Sequence, residues 1–325
     1  MNELIPSLPS PRLMQASNAV VTVTVSDDVR RLVMEAEAPS TRKAYATDIR
    51  TFQSWCRKHG YTALPATPET VCEFVVASME RKLRPSTIQR RMAAIRYMHR
   101  LADMETPTKS ELVAKAIKGM RRELGALPDR KAPATADIVG RMLDSCDDSL
   151  IGLRDRALLA LGFAGAFRRS ELVALTTDDI ETAEDGIRVT IRKSKGDQEG
   201  MGQTIAILGG NRLRPVAALN AWLAAAGIES GPLFRRVRVG DEVGTKPLSE
   251  ASVALIVKKR CTLIGEDPGI FSGHSLRAGF LTSAARSGAS IFKMRDVSRH
   301  KSLETLNGYV RDAELFRDHA GSAFL

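Results

Sequence analysis

Cysteine is scarce in this chain: Cys56, Cys72, Cys146 and Cys261 are the only four in 325 residues, and no two form a C-x-x-C pair. That argues against a disulfide framework or a zinc ribbon and suits a reducing cytoplasm. Long apolar runs are also missing. The longest, Ala157 to Phe167, covers eleven residues between Arg156 and Arg168, well short of the ~20 that a bilayer requires. It predicts a buried helix and no membrane association. Neither a G-x-x-x-x-G-K-S/T phosphate loop nor a G-x-G-x-x-G fingerprint occurs, so nucleotide hydrolysis is not expected to drive the chemistry. The N-terminus lacks a basic segment and is broken by Pro6, Pro9 and Pro11, unlike a signal peptide.

Acidic residues are in the minority. Lys+Arg number 48 against 38 Asp+Glu, a net charge of +10, while 43% of residues are hydrophobic. The chain therefore has material for a sizeable core, is long enough for two domains, and carries a surplus that favours a polyanionic partner.

Residues 1–26 read as an arm, with the alternating Val20 to Val25 stretch allowing a short strand. From Asp27 to Glu123 the pattern is helical: Ser40 and Thr41 as a cap before Tyr45, Ile49, Phe52 and Trp55, Thr67-Pro68-Glu69 opening a second helix, Pro85 a third, and Glu111 to Leu124 a later one. Ten Lys/Arg face four Asp/Glu between Arg84 and Glu123. Arg90, Arg91, Arg96 and Arg100 are placed off the apolar stripe of their helix. A solvated face and a face laid on DNA, with Arg84, Lys115, Lys118, Arg121 and Arg122 adding to it, both fit this pattern. Residues 124–135, with Gly125, Pro128 and Pro133, read as a linker. Residues 136–325 are again mainly helical with one β interruption, a hairpin of Gly186–Arg192 and Thr204–Leu208 around a charged tip.

Two of only five histidines, His274 and His300, lie close in sequence to Arg277 and Tyr309. Taken singly, His274-x-x-Arg277 is common and a helical tyrosine is usually core. The conjunction says more. Arg168 follows the apolar run, Glu171 stands one turn on where a carboxylate orients its neighbours, and the hairpin tip offers Lys193 and Lys195. No metal-ligand spacing is present, and no cofactor is expected. Two guanidiniums that clamp a phosphodiester, a lysine that protonates a leaving oxygen, histidines that manage protons and a tyrosine nucleophile suit phosphoryl transfer. A phenol ordinarily holds its proton to about pH 10, and positive neighbours ease its loss.

In this ordered set the chain resembles the tyrosine recombinases, the phage-integrase and Cre-like enzymes. Arg168 with Glu171 fits the G-x-R-x-x-E-L box, Lys195 the hairpin lysine (Lys193 is the alternative, since K-T is absent), His274 with Arg277 the H-x-x-R, and His300 the residue nine before Tyr309. Arg169 is left as a phosphate contact or a surface charge. The resemblance implies a mainly α, two-domain, C-shaped clamp on duplex DNA. It joins a helical core-binding domain, residues 27–123, to a mixed α/β catalytic domain, residues 136–325. It implies cleavage by Tyr309 to a 3′-phosphotyrosine and strand exchange through a Holliday junction without metal or ATP. Two protomers would occupy a site and four the synapse, with the tail 312–325 (Leu315, Phe316, Ala320, Phe324 and Leu325) docked on a neighbour, in the nucleoid of the cytoplasm. A type IB topoisomerase-like relaxase and a non-catalytic DNA-binding protein on the same scaffold are the alternatives.

Overall fold

Three helices of the first part of the chain begin at a proline, whose fixed φ and missing N–H suit the first helical position: α1 (Pro39–His59), α2 (Pro68–Glu80) and α3 (Pro85–Leu101). Ser40 and Thr41, expected to cap α1, lie inside it; Ala38 holds the cap position without a side-chain bond because Pro39 already fixes the entry. Thr67 caps α2 by accepting the N–H of Thr70 at 3.2 Å. Ser110 does the same for Val113 at the start of α4 (Glu111–Leu124). This computed structural model describes residues 13–16, 19–22, 28, 31, 36–125, 131–192 and 202–313. It divides into two compact units, Met1–Asp129 and Arg130–Leu325. In the arm, β1 (Leu13–Ala16) pairs antiparallel with β2 (Ala19–Thr22), Leu13 opposite Thr22.

The core of the first unit joins Phe52, Phe74, Ile88, Ile95, Met98 and Met120. Two nitrogenous side chains are buried with them. His99 accepts the Ala66 N–H at Nε2 and donates from Nδ1 to the Ile95 carbonyl, both at 2.9 Å. Arg91 corrects the sequence reading. Placed there off the apolar stripe, it is instead 9% exposed, sits over the Phe74 ring at 5.4 Å and donates to Ser78 Oγ at 3.2 Å. Buried Asp48 draws it inward from 3.9 Å while gripping Arg90 through both carboxylate oxygens at 2.7 and 3.2 Å. A buried carboxylate needs such partners; it takes Arg91 off the candidate DNA face, whereas Arg90 is paired yet stays half-exposed.

The second unit is built around α6 (Leu150–Ala164), whose apolar run is buried on all sides. Packed with it are α5 (Ala136–Asp144), the short α7 (Arg169–Ala174), α8 (Pro215–Ala225) and α9 (Glu250–Leu263). Three further helices, α10 (Ser275–Arg286), α11 (Ile291–Ser298) and α12 (Leu303–Ala313), share a small cluster of Leu281, Ala285, Met294 and Leu306. The single β interruption is corrected to two sheets. A third strand, β3 (Ile180–Ala183), joins β4 (Gly186–Ile191) and β5 (Gln203–Leu208) in an antiparallel sheet of order β3-β4-β5, and β6 (Arg235–Val237) pairs with β7 (Val243–Pro247). Both additions are short: β3 shows no inward–outward alternation and β6 carries a bulge, so neither has a period to read. In β4 and β5 the alternation holds, with Ile187, Val189, Ile191, Ile205 and Ile207 turned inward.

The far half of the presumed linker belongs to the second unit. Lys131 Nζ donates to the Gly269 carbonyl at 3.0 Å, and the N–H groups of Ala132 and Ala134 bond the carbonyls of Ile270 and Ser275 at 2.8 and 2.9 Å. Ala134 is fully buried against Gly279 of α10, where a β-carbon would stand 1.7 Å from the Ala134 oxygen. Gly279→Ala therefore sets a helix-propensity gain of under about 1 kcal/mol against an overpacking cost of about 1–3 kcal/mol. The clash wins. The unfolding midpoint of the second unit should fall by several degrees in calorimetry, and an unchanged or raised midpoint would show that the strap yields freely.

Candidate active site

The site grows out of the end of α6. After Gly165 the chain turns through Ala166, a non-glycine residue at φ +44°, and Phe167 is buried, so Arg168 emerges from a fixed base as the N-cap of α7. Glu171, the third residue of that short helix, reaches back in a capping box. Its Oε2 accepts the Arg168 N–H at 2.9 Å, and its Oε1 accepts Arg168 Nη1 at 2.5 Å. The Glu171 side chain is 1% exposed and that of Arg168 22%, so the carboxylate is internal and the guanidinium opens outward.

Arg277 comes from the first turn of α10, which His274 caps by position. Its guanidinium is buried, and Nη1 donates to the Ala166 carbonyl at 2.6 Å. Nη2 lies 3.2 Å from Nδ1 and 3.4 Å from Nε2 of His300, and Ser298 Oγ meets the same Nδ1 at 2.9 Å. An arginine only donates, so the ring nitrogen that receives it is unprotonated. Tyr309, half-buried on α12, packs against the cluster shared by α10 to α12. It is near enough to Arg277 for its charge to raise that guanidinium's pKa. The structure thus brings Arg168, Glu171, Arg277, His300 and Tyr309 around one locus, with His274 at its rim.

One participant escaped the sequence reading. Arg299, between Ser298 and His300, is buried like Arg277. Its side chain, 2% exposed, bonds Glu171 Oε2 at 2.8 Å. Its only sequence mark is adjacency to His300. Arg169 is exposed, its stem packed on Gly273. Lys193 and Lys195 lie outside the described residues, in the segment joining β4 to β5. In the first unit Arg84, Arg96, Arg100, Lys115, Lys118, Arg121 and Arg122 are exposed. Arg96 and Arg121 share a groove between α3 and α4 with Gln89 and Thr108, and Arg96 donates to Thr108 Oγ1 at 3.1 Å. Lys115 pairs with Glu111 at 2.9 Å.

Three guanidiniums against one carboxylate leave this locus short of negative charge. Burial and the charges of Arg168 and Arg299 bring Arg277 down to about 9, still charged at neutral pH. Burial alone would lift the Glu171 carboxyl, but Arg299, the Arg168 N–H and the Arg168 guanidinium hold it below the usual range. His274, open to solvent, is pushed down by partial desolvation and by Arg277, Arg168 and Arg169. His300 falls to about 4 through burial, then Arg277 and Arg168. An ordinary histidine titrates near 6.5, so between those two values the unfolded chain takes up a proton that the folded site refuses. Stability should therefore decline as the pH drops from about 6.5 toward about 4. His300→Gln should make the decline shallower in thermal melts across that window. An unaltered slope would mean that His300 is not held neutral.

Among the described residues no three His, Cys, Asp or Glu side chains gather as a metal cluster, and no helix is long and apolar enough to cross a membrane. Residues 134–315 match the phage integrase family, and residues 29–105 match the phage integrase N-terminal SAM-like domain. An integrase/recombinase XerD homologue of Selenomonas ruminantium is 39% identical over 297 residues, covering 90% of this chain and 87% of that protein. Recombinase Cre of Escherichia phage P1 is 25% identical over 320 residues, 89% of this chain and 90% of its own. The fold is shared with the XerH site-specific recombinase bound to palindromic difH substrate, at TM-score 0.62 and 16% identity over 84% of this chain and 76% of that one. A family match across more than half of the residues, and a relative at this identity along nine-tenths of them, place the chain in the phage integrase family of tyrosine recombinases.

Proposed function

We propose that this site-specific tyrosine recombinase cleaves DNA with Tyr309 while Arg168 and Arg277 grip the scissile phosphate. The observation that carries the reading is the surplus of guanidinium charge at one locus, which an arriving phosphodiester would neutralise. The Tyr309 oxygen attacks phosphorus as its proton leaves, the bond from phosphorus to the 5′-oxygen breaks, and Lys195 or Lys193 protonates that oxygen. The product is a 3′-phosphotyrosine and a free 5′-hydroxyl. Attack by the 5′-hydroxyl of a partner strand reverses the step and joins the exchanged strands, and two such exchanges pass through a Holliday junction. The phosphoester bond is conserved throughout, so joining draws on no ATP. His300, neutral and beside Arg277, is suited to accept a proton or to bond the phosphate. His274 at the rim supports the same charge.

Duplex DNA as the partner draws support from the recombinases named above, one of them solved on its DNA substrate. In the first unit we assign phosphate contacts to Arg84, Arg96, Arg100, Lys115, Lys118, Arg121 and Arg122. Arg90, paired with Asp48 but exposed, is kept with them, and buried Arg91 is left to Asp48. The nucleoid in the cytoplasm is where such a substrate would be met. Relaxation of plasmids with no recombination site would favour the topoisomerase-like alternative instead.

Two experiments test these assignments. On a nicked fragment bearing the recombination site, the wild-type chain should give an adduct that survives SDS and is lost on protease treatment. Tyr309→Phe should bind that fragment yet form no adduct, and Arg168→Ala or Arg277→Ala should slow its formation by about 10²-fold or more, the scale of one lost transition-state donor. Strand cleavage left intact in any of the three would overturn the roles. The tail 312–325 lies outside the described residues beyond Ala313, and we assign it to docking on a neighbouring protomer, two per site and four in synapsis. Truncation after Asp312 should weaken cooperative binding and synapsis more than occupancy of a half-site, and unchanged recombination would sink that assignment.

A further inference from the structure

Arg299 stands at the C-terminal end of α11 in a left-handed turn, φ +58°, where an L-residue with a side chain is disfavoured. Its guanidinium is spread over four acceptors. Nη1 donates to the carbonyls of Gly165, at 3.1 Å, and Val297, while Nη2 donates to Ala166 O at 3.3 Å and Glu171 Oε2 at 2.8 Å. One face lies 5.3 Å from the centre of the Phe167 ring. The residue's own carbonyl accepts Arg168 Nη2 at 3.4 Å. Burying a guanidinium in a strained turn is costly, and a glycine would hold the same backbone freely.

Two of these acceptors, Glu171 and the Ala166 carbonyl, also hold a member of the phosphate clamp, as does the carbonyl of Arg299 itself. Glu171 Oε2 is occupied by Arg299 and by the Arg168 N–H, so the Arg168 guanidinium is confined to Oε1. Without Arg299, Oε2 would keep only the Arg168 N–H and have room for a second donor, and a bidentate guanidinium pair there would draw the Arg168 charge inward. The Arg168 Nη2 bond to Arg299 O is long for such a contact, which leaves that donor free to turn toward an anion. Ala166 O receives Arg277 at 2.6 Å and Arg299 at 3.3 Å, so one carbonyl registers two arginines.

We propose that Arg299 is a positioning residue for strand cleavage, holding Arg168 through Glu171 and its own carbonyl, and Arg277 through the carbonyl of Ala166. This rests on the reading of Arg168 and Arg277 as the clamp. Lysine does not replace it, because one ammonium reaches neither the two sides of this fork nor the Phe167 face.

The test uses the full chain on the nicked fragment. Arg299→Gly suits the turn, and Arg299→Lys keeps the charge should the glycine variant fail to fold. Both should lower the single-turnover rate of adduct formation by about 10–100-fold, the usual cost of losing an outer partner, with half-site Kd within about twofold of wild type. Millimolar guanidinium should restore part of the Arg299→Gly rate, which repair of a merely misfolded chain would not explain. In an Arg168→Ala background, followed over long incubations, Arg299→Gly should cost less than in the wild-type chain, since the part exerted through Arg168 is already lost and only the part exerted through Arg277 remains. Wild-type rates in both Arg299 variants beside a disabled Arg168→Ala would overturn the proposal and leave the clamp standing. Full additivity with Arg168→Ala would overturn it as well. Normal cleavage by Arg168→Ala itself would fail the clamp, and this inference with it.

Discussion

The carboxylate of Glu171 is the constraint on which the second unit's working end depends. It is almost wholly buried, and it holds Arg168 by backbone and side chain and Arg299 by side chain. A carboxylate in such surroundings is tolerable only when paired. In satisfying it, the chain fixes the start of α7, the base from which Arg168 projects, and the turn that delivers His300. The two guanidiniums exceed what one carboxylate neutralises, and Arg277 adds a third. The phosphodiester of the proposed reaction would relieve the resulting deficit of negative charge, so the cost of folding and the proposed affinity for an anion trace to the same arrangement.

The same device recurs elsewhere with a different result. Asp155 is shared by Arg154 and Arg260, each at 2.7 Å, and Asp48 by Arg90 and Arg91. In each case one buried acid is served by two arginines. At Asp155 both guanidiniums are themselves buried, and Arg260 spends a further donor on the Ser145 carbonyl at 2.8 Å, so no charge is presented outward. These three buried acids engage six arginines of a chain with net charge +10, and Arg90 and Arg168 still open to solvent. Net charge signals a polyanionic partner, but it does not say which cations meet it.

This explains what was legible in the sequence. Arg168, Glu171, His274 and Arg277 stand at helix ends, where spacing along the chain translates directly into placement, and a buried apolar run or a capping position marks each. The helical first unit and the β4–β5 hairpin were readable from their periods. Arg91 was misplaced because it lies three residues from Ile88 and four from Ile95, at the edge of the apolar stripe, and its direction is decided by Asp48 and Phe74 on other helices. Arg299 had no local signature, since its contacts exist only once α6, α7 and the α11–α12 turn converge. The strap from Lys131 to Thr135 looked like linker because its partners, Gly269, Ile270 and Ser275, lie far along the chain.

Backbone strain at the locus fits the same logic. Ala166 and Arg299, both carrying side chains, hold left-handed conformations at φ +44° and +58°, each at a cost of order 1–3 kcal/mol. Neither is in an exposed turn that would relax without consequence. The Ala166 carbonyl receives Arg277 and Arg299, and the Arg299 carbonyl receives Arg168. The strained residues are therefore those whose carbonyls aim the guanidiniums, and the bonds they accept oppose relaxation. Donors held in this way need not reorganise as charge develops on a reacting phosphate, which is the condition under which electrostatic stabilisation of a transition state is largest. Strain that would be a defect in a loop is here tied to the aim of all three arginines.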